Sequence, residues 1–211
     1  MMQPTPTSPI TPALVAEAMT YAQYMTHAYG RFEQHLTTAD DPHYNTEQIL
    51  GFTRLNFSRI ARLEKTTVLT DEVTAALAQV REPWIWLVLV ESWCGDVAQI
   101  LPVMKHMADW SGKIELRLLL RDKNLPVIDA YRTNGGRSIP KLVCLRQTDL
   151  TELGTWGPRP AALQAEMDGW KTENTPFDQV IERAHGWYAK DRTAHTQAEL
   201  AERILTWSQT A

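Results

Sequence analysis

Cysteine is scarce, with two residues in a chain of 211. That excludes a disulfide-stapled scaffold and a four-cysteine zinc site. Long apolar runs are missing too: nothing approaches the roughly 20 residues needed to cross a bilayer, so no membrane partner is expected. Neither sign of charge dominates, with 21 Lys and Arg against 25 Asp and Glu and a net charge of −4. A surface built to hold nucleic acid is therefore not expected. The first residues, MMQPTPTSPITP, lack the basic cluster and apolar run of a secretory leader, so the expected location is cytoplasmic. In that reducing compartment a cysteine that matters is chemical rather than structural. His27, His35, His43, His106, His185 and His195 form no His-Glu-x-x-His pattern, and no metal or cofactor is expected.

What is present is an ordinary globular composition, 44% hydrophobic with eight tryptophans, long enough to bury a sizeable core. Residues 1–12, with four prolines, read as an extended or disordered tail. Residues 13–65 read as an N-terminal helical extension. Its first helix is carried by Leu14, Val15, Ala18, Tyr21, Tyr24, Met25 and Ala28, and its second is capped by Thr46. From Thr66 the pattern alternates. Thr66–Leu69 predicts a short strand and Thr70 a capped helix, while Trp84–Val90 predicts a strand covered on both faces. A helix to about Trp110 follows, closed by Ser111-Gly112, then a strand over Ile114–Leu120 and a short helix before Asn134. Pro140–Arg146 and Glu152–Trp156 form a closing hairpin, and the chain is helical beyond Pro160 with a break at Thr175-Pro176. The order from Thr66, β-α-β-α-β-α-β-β-α, indicates an α/β fold: a mixed sheet with helices on both faces. The domain spans residues 66–173, and 174–211 form a C-terminal helical extension whose aromatic residues pack on the core.

Cys94 sits where the buried strand becomes a helix. Backbone N–H groups and the helix dipole favour an anion there by about 0.3–2 kcal/mol, and the thiolate is the nucleophile. Asp96 opposes this. A carboxylate about 6 Å away, at an effective dielectric of about 40, costs the thiolate about 1.4 kcal/mol. The two nearly cancel, so the thiol is expected to be only modestly acidified.

Three features then coincide. Trp93-Cys94-Gly95 follows an apolar strand, Pro102 lies eight positions after Cys94, and Ser138-Ile139-Pro140 directly precedes a strand. Together they resemble the thioredoxin superfamily. More narrowly, Glu91–Asp96 and Asn134–Lys141 resemble a bacterial thioredoxin-like family with helical extensions. The resemblance implies a thioredoxin-like sheet and a cis Pro140 facing Cys94, with the Ile139 backbone open to a bound peptide or thiol.

The departures narrow the chemistry. Val97 stands where the second thioredoxin cysteine would be, and Val88 where the family has its buried acid. Cys144 lies four residues along a strand from Pro140, about 13 Å away, beyond the roughly 7 Å between Cα atoms that a disulfide allows. It reads as a buried small hydrophobe. Glu91, three residues before Cys94, and Leu87 do not match a peroxiredoxin, and Gly135-Gly136 reads as a turn rather than a phosphate loop.

The leading expectation is thus a monothiol protein in which Cys94 exchanges with a disulfide and an external thiol regenerates it. Trp93, Gly95, Asp96, Arg137, Ile139 and Pro140 would contact the substrate, and Arg137 would offset Asp96 or hold a carboxylate of a small thiol. The expected partner is a low-molecular-weight thiol or a protein disulfide. The other readings stay open: Cys94 as an inert relic, Asp96 as a helix-stabilising first-turn acid, Trp93 as packing, Arg137 as a solvated loop residue. Two other classes stay open for the whole chain: a binding module that holds a peptide or partner protein in the cis-proline groove without turnover, or a redox sensor in which Cys94 is oxidised and a partner reads its state. Exposure of Cys94 discriminates, since an open thiol favours chemistry and a covered one favours binding.

Overall fold

The computed structural model describes residues 8–210. Most of the proline-rich tail, residues 1–7, lies outside them. The rest of it is anchored, because Ile10 is 6% exposed and Pro12 opens a helix. The expected first helix is two. Helix α1 (Pro12–Glu17) is capped by Thr11, and α2 (Tyr21–Glu33) is started by a reciprocal Thr20/Gln23 capping box. Between them Met19 exchanges both backbone hydrogen bonds with Leu118, at 2.9 and 2.8 Å. Thr46 caps the long α3 (Glu47–Thr66), and Thr70 caps α4 (Asp71–Leu77).

The strand expected at Thr66–Leu69 does not form. Thr66 closes α3, the Thr67 N–H still bonds back to Leu63, and Val68 is 80% exposed. β-branched residues favour strands only where a neighbour exists to pack against. Here Met19 pairs with the outer edge of the sheet instead.

Four strands make the sheet: β1 (Trp84–Val90), β2 (Ile114–Leu120), β3 (Lys141–Arg146) and β4 (Glu152–Trp156), in the order β2-β1-β3-β4. β1 runs parallel to β2 and antiparallel to β3, which runs antiparallel to β4. All seven residues of β1 are buried, as its unbroken apolar run requires. Helix α5 (Gly95–Ser111) leaves the end of β1 and closes on left-handed Gly112 at φ 61°. Pro102 inside it removes the hydrogen bond to the Ala98 carbonyl. Helix α6 (Leu125–Ala130) bridges β2 and β3.

Three helices complete the chain: α7 (Ala161–Thr172), α8 (Phe177–Asp191) and α9 (Ala194–Ser208). A break beyond the one expected at Thr175-Pro176 separates α8 from α9, where Arg192 and Thr193 are both left-handed. Helix α9 packs on α4 and β4. A Cβ at Gly154 of β4 would collide with the Trp207 indole, so glycine is what lets that helix dock. Trp207 in turn meets Trp84 edge to face, with ring centroids 6.4 Å apart. Among the described residues no helix is long and apolar enough to cross a membrane.

Candidate functional site

Cys94 lies four residues beyond the end of β1 and is the N-cap of α5, with φ −82° and ψ 120°. Its Sγ lies 3.3 Å from the Ile139 carbonyl, to which the thiol donates, and the Ile139–Pro140 peptide is cis. The sheet accounts for the meeting. β1 and β3 are antiparallel neighbours with Leu89 opposite Lys141, so the chain before β3 arrives where β1 hands over to α5. Cys94 is 9% exposed, and both cysteines are free. Cys144 lies mid-strand opposite Trp86, its thiol pushed up by burial.

Burial also pushes the Cys94 thiol up, to about 12, and Asp96 adds to the rise. The N–H groups of Val97 and Asp96, and the Arg159 guanidinium, oppose it less strongly. The modest acidification expected from dipole and carboxylate alone is thereby corrected. Desolvation, set by the surrounding helices, outweighs both.

Asp96 is not offset by Arg137. Arg159 donates to Asp96 Oδ2 from Nε at 2.9 Å and from Nη2 at 2.6 Å, while the Tyr188 hydroxyl donates to Oδ1 at 2.7 Å. Arg137 instead forks onto Asp129 on the exposed side of its loop, at 2.7 Å to both oxygens, and does not line the pocket above Cys94. The sequence reading missed Arg159, Tyr188 and His185. The local signal for the first was an arginine flanked by two prolines, Gly157-Pro158-Arg159-Pro160, directly after a strand. For the other two there was only an amphipathic helix.

Gly95 has a specific use. A Cβ there would stand 2.7 Å from Cε1 and 2.9 Å from Nε2 of His185, so the missing side chain admits the imidazole. Burial lowers the His185 pKa to about 4, with Arg59 adding to the drop. Trp93 stacks on Tyr44 with centroids 4.4 Å apart, and the Arg121 guanidinium lies 4.8 Å from its ring centre.

Immediately before Trp93 the N-terminal extension is latched to the site. Ser92 and Thr38 exchange hydrogen bonds (Ser92 N–H to Thr38 Oγ1 2.9 Å, Thr38 N–H to Ser92 Oγ 3.1 Å), and Asn56 of α3 donates to the Ser92 carbonyl at 3.0 Å. Glu91, fully buried, accepts from the Thr38 hydroxyl and from the Asp122 N–H at 3.0 Å. Burial raises its pKa to about 7 against the pull of those two bonds.

Above Cys94 these parts enclose a cavity of about 300 Å³. Ile49 and Phe52 of α3 form one wall, Val180, Ile181 and Ala184 of α8 another, with Trp93, Cys94 and Gly95 at the base. A wider cleft of about 650 Å³ shares Arg159, Met167, Phe177 and Val180 with it and does not reach Cys94.

The thioredoxin family model matches residues 44–172, more than half of the chain, and the protein belongs to that family. The match begins before α3, so that helix falls inside the family's span. No curated protein is similar enough to count as a relative. Among solved structures, an HIV epitope scaffold is similar at 16% identity and TM-score 0.53, covering 88% of this chain and 98% of its own. A protein of unknown function from Pseudomonas aeruginosa is similar at 17% identity and TM-score 0.51, with 88% and 97% covered. At those identities the likeness speaks for the fold.

Proposed function

We propose that this thioredoxin-family chain binds a small, mainly apolar molecule against Cys94 and the Ile139–Pro140 turn, with Cys94 at rest a protonated hydrogen-bonding group. The observation that carries this reading is where the thiol sits: at the base of an apolar cavity, donating to a main-chain carbonyl. Burial pushes the thiol up to about 12, so the protonated form predominates at pH 7. The cavity volume of about 300 Å³, between walls from α3 and α8, is at the low end for small-molecule sites. A compact guest therefore fits better than a protein disulfide. The test is an alkylation titration of Cys94, with Cys94→Ser and Cys144→Ser as controls. The expected midpoint lies well above 9, and a midpoint below 8 overturns the reading.

One observation favours monothiol exchange as a second reading. The N–H groups of Asp96 and Val97 and the Arg159 charge all act to stabilise a thiolate on Cys94. In that reaction the thiolate attacks a small disulfide RSSR′, forms Cys94–S–S–R and expels R′S⁻. An external thiolate then attacks the mixed disulfide, releases R as a new disulfide and returns Cys94. A reducing, cytoplasmic setting supplies that thiol. Turnover of a small aromatic disulfide with added thiol, abolished in Cys94→Ser, would establish this reading over simple binding.

A further inference from the structure

We propose that His185 supplies the recognition hydrogen bond of the Cys94 pocket, donating from Nε2 to a carbonyl oxygen on a small apolar guest. The proposal rests on the binding reading above and deepens it. Most polar groups lining the cavity are committed to one another. Asp96 is held by Arg159 and Tyr188, and Arg159 Nη1 donates to Gln164 at 2.6 Å. Asn56 donates to Ser92 and accepts from Arg59 at 2.8 Å, the Tyr44 hydroxyl accepts from Arg121 at 3.2 Å, and Cys94 donates to Ile139. The Trp93 indole N–H has no partner among the described residues, but it is buried away from solvent.

His185 differs. Its Nδ1 lies 3.4 Å from the Nε2 of Gln99, and Gln99 is 4% exposed on α5. With the Gln99 amide nitrogen as the donor, Nδ1 accepts, and a neutral ring then carries its proton on Nε2, the tautomer this proposal assigns. That atom has no hydrogen-bond partner among the described residues, and it lies on the ring edge packed over Gly95, beside Cys94. Burial and Arg59 keep the ring neutral at pH 7. A neutral donor beside an apolar cavity, whose lining arginine is already paired, matches a neutral acceptor better than a carboxylate. Ketone, ester and amide carbonyls share that chemistry.

The test compares acetophenone with α-methylstyrene, in which the carbonyl oxygen is replaced by a methylene of similar shape. Binding is followed by ¹⁵N-histidine NMR on the full chain. The native protein should show the Nε2–H tautomer at His185, and that signal should shift with acetophenone. The ketone should bind about threefold to tenfold tighter, the range of one net hydrogen bond. His185→Phe should bind both probes equally, and Gln99→Leu, a milder change, should weaken the preference while keeping apolar binding. Equal affinities in the native protein, or an Nδ1–H tautomer, overturn the role of His185 and leave the pocket standing. Failure of both probes to bind overturns the pocket reading as well.

Discussion

Two carboxylates flank Cys94 and are handled in opposite ways. Asp96, at the rim, meets a guanidinium and a phenol from the C-terminal part of the chain. Glu91, on the inner side, meets a hydroxyl and a backbone N–H and is fully buried. The rim carboxylate is thus half of an ion pair, whereas the interior makes the Glu91 charge costly. Both arrangements depend on the added helices and loops, which shows how far those segments have been drawn into the site.

The largest effect should come from breaking the rim pair. Arg159 and Asp96 are 15% and 12% exposed, so Arg159→Met leaves a shielded carboxylate with only the Tyr188 hydroxyl and should destabilise the fold by about 3 kcal/mol in chemical denaturation. It should also raise the Cys94 alkylation midpoint further, since Arg159 lowers it. Next is the interior acid. Because the Glu91 pKa rises from 4.5 to about 7 on folding, the native state holds the extra proton between those values. Its contribution is present below pH 4.5 and is lost as pH climbs to about 7, on the order of 3 kcal/mol. Glu91→Gln should flatten that slope, and an unchanged slope would show that the native carboxyl is not shifted.

Tyr188→Phe removes one hydrogen bond to a charged acceptor and should cost about 1.5–3 kcal/mol, with Asp96 still paired to Arg159. Gly95→Ala should push the imidazole outward, moving the His185 NMR titration midpoint from about 4 toward 6.5. Least of all, Arg137→Ala should leave the alkylation profile and the midpoint of unfolding unchanged, because its partner is Asp129 at the surface.

The comparison also separates what the amino-acid sequence discloses from what it hides. Trp84–Val90 announced a buried strand and Ser111-Gly112 a helix end through signals within a few residues, and the structure has both. Trp93-Cys94-Gly95 and Ser138-Ile139-Pro140 located the thiol and the turn through the family resemblance those short motifs carry. Thr66–Leu69 misled because strand propensity is silent about whether a neighbouring strand is free. Arg159, Tyr188 and His185 were hidden because they reach the start of α5 from more than sixty residues along the chain. No local pattern encodes that return, and the desolvation of Cys94 follows from it.

The pairing of Met19 with Leu118 has a wider meaning for how copies of this chain behave near one another. A strand at the border of a sheet offers a row of open donors and acceptors that invites edge-to-edge pairing between molecules. One residue, held in place by helices on either side, interrupts that row on β2. That edge of the sheet is thus partly capped without adding a strand.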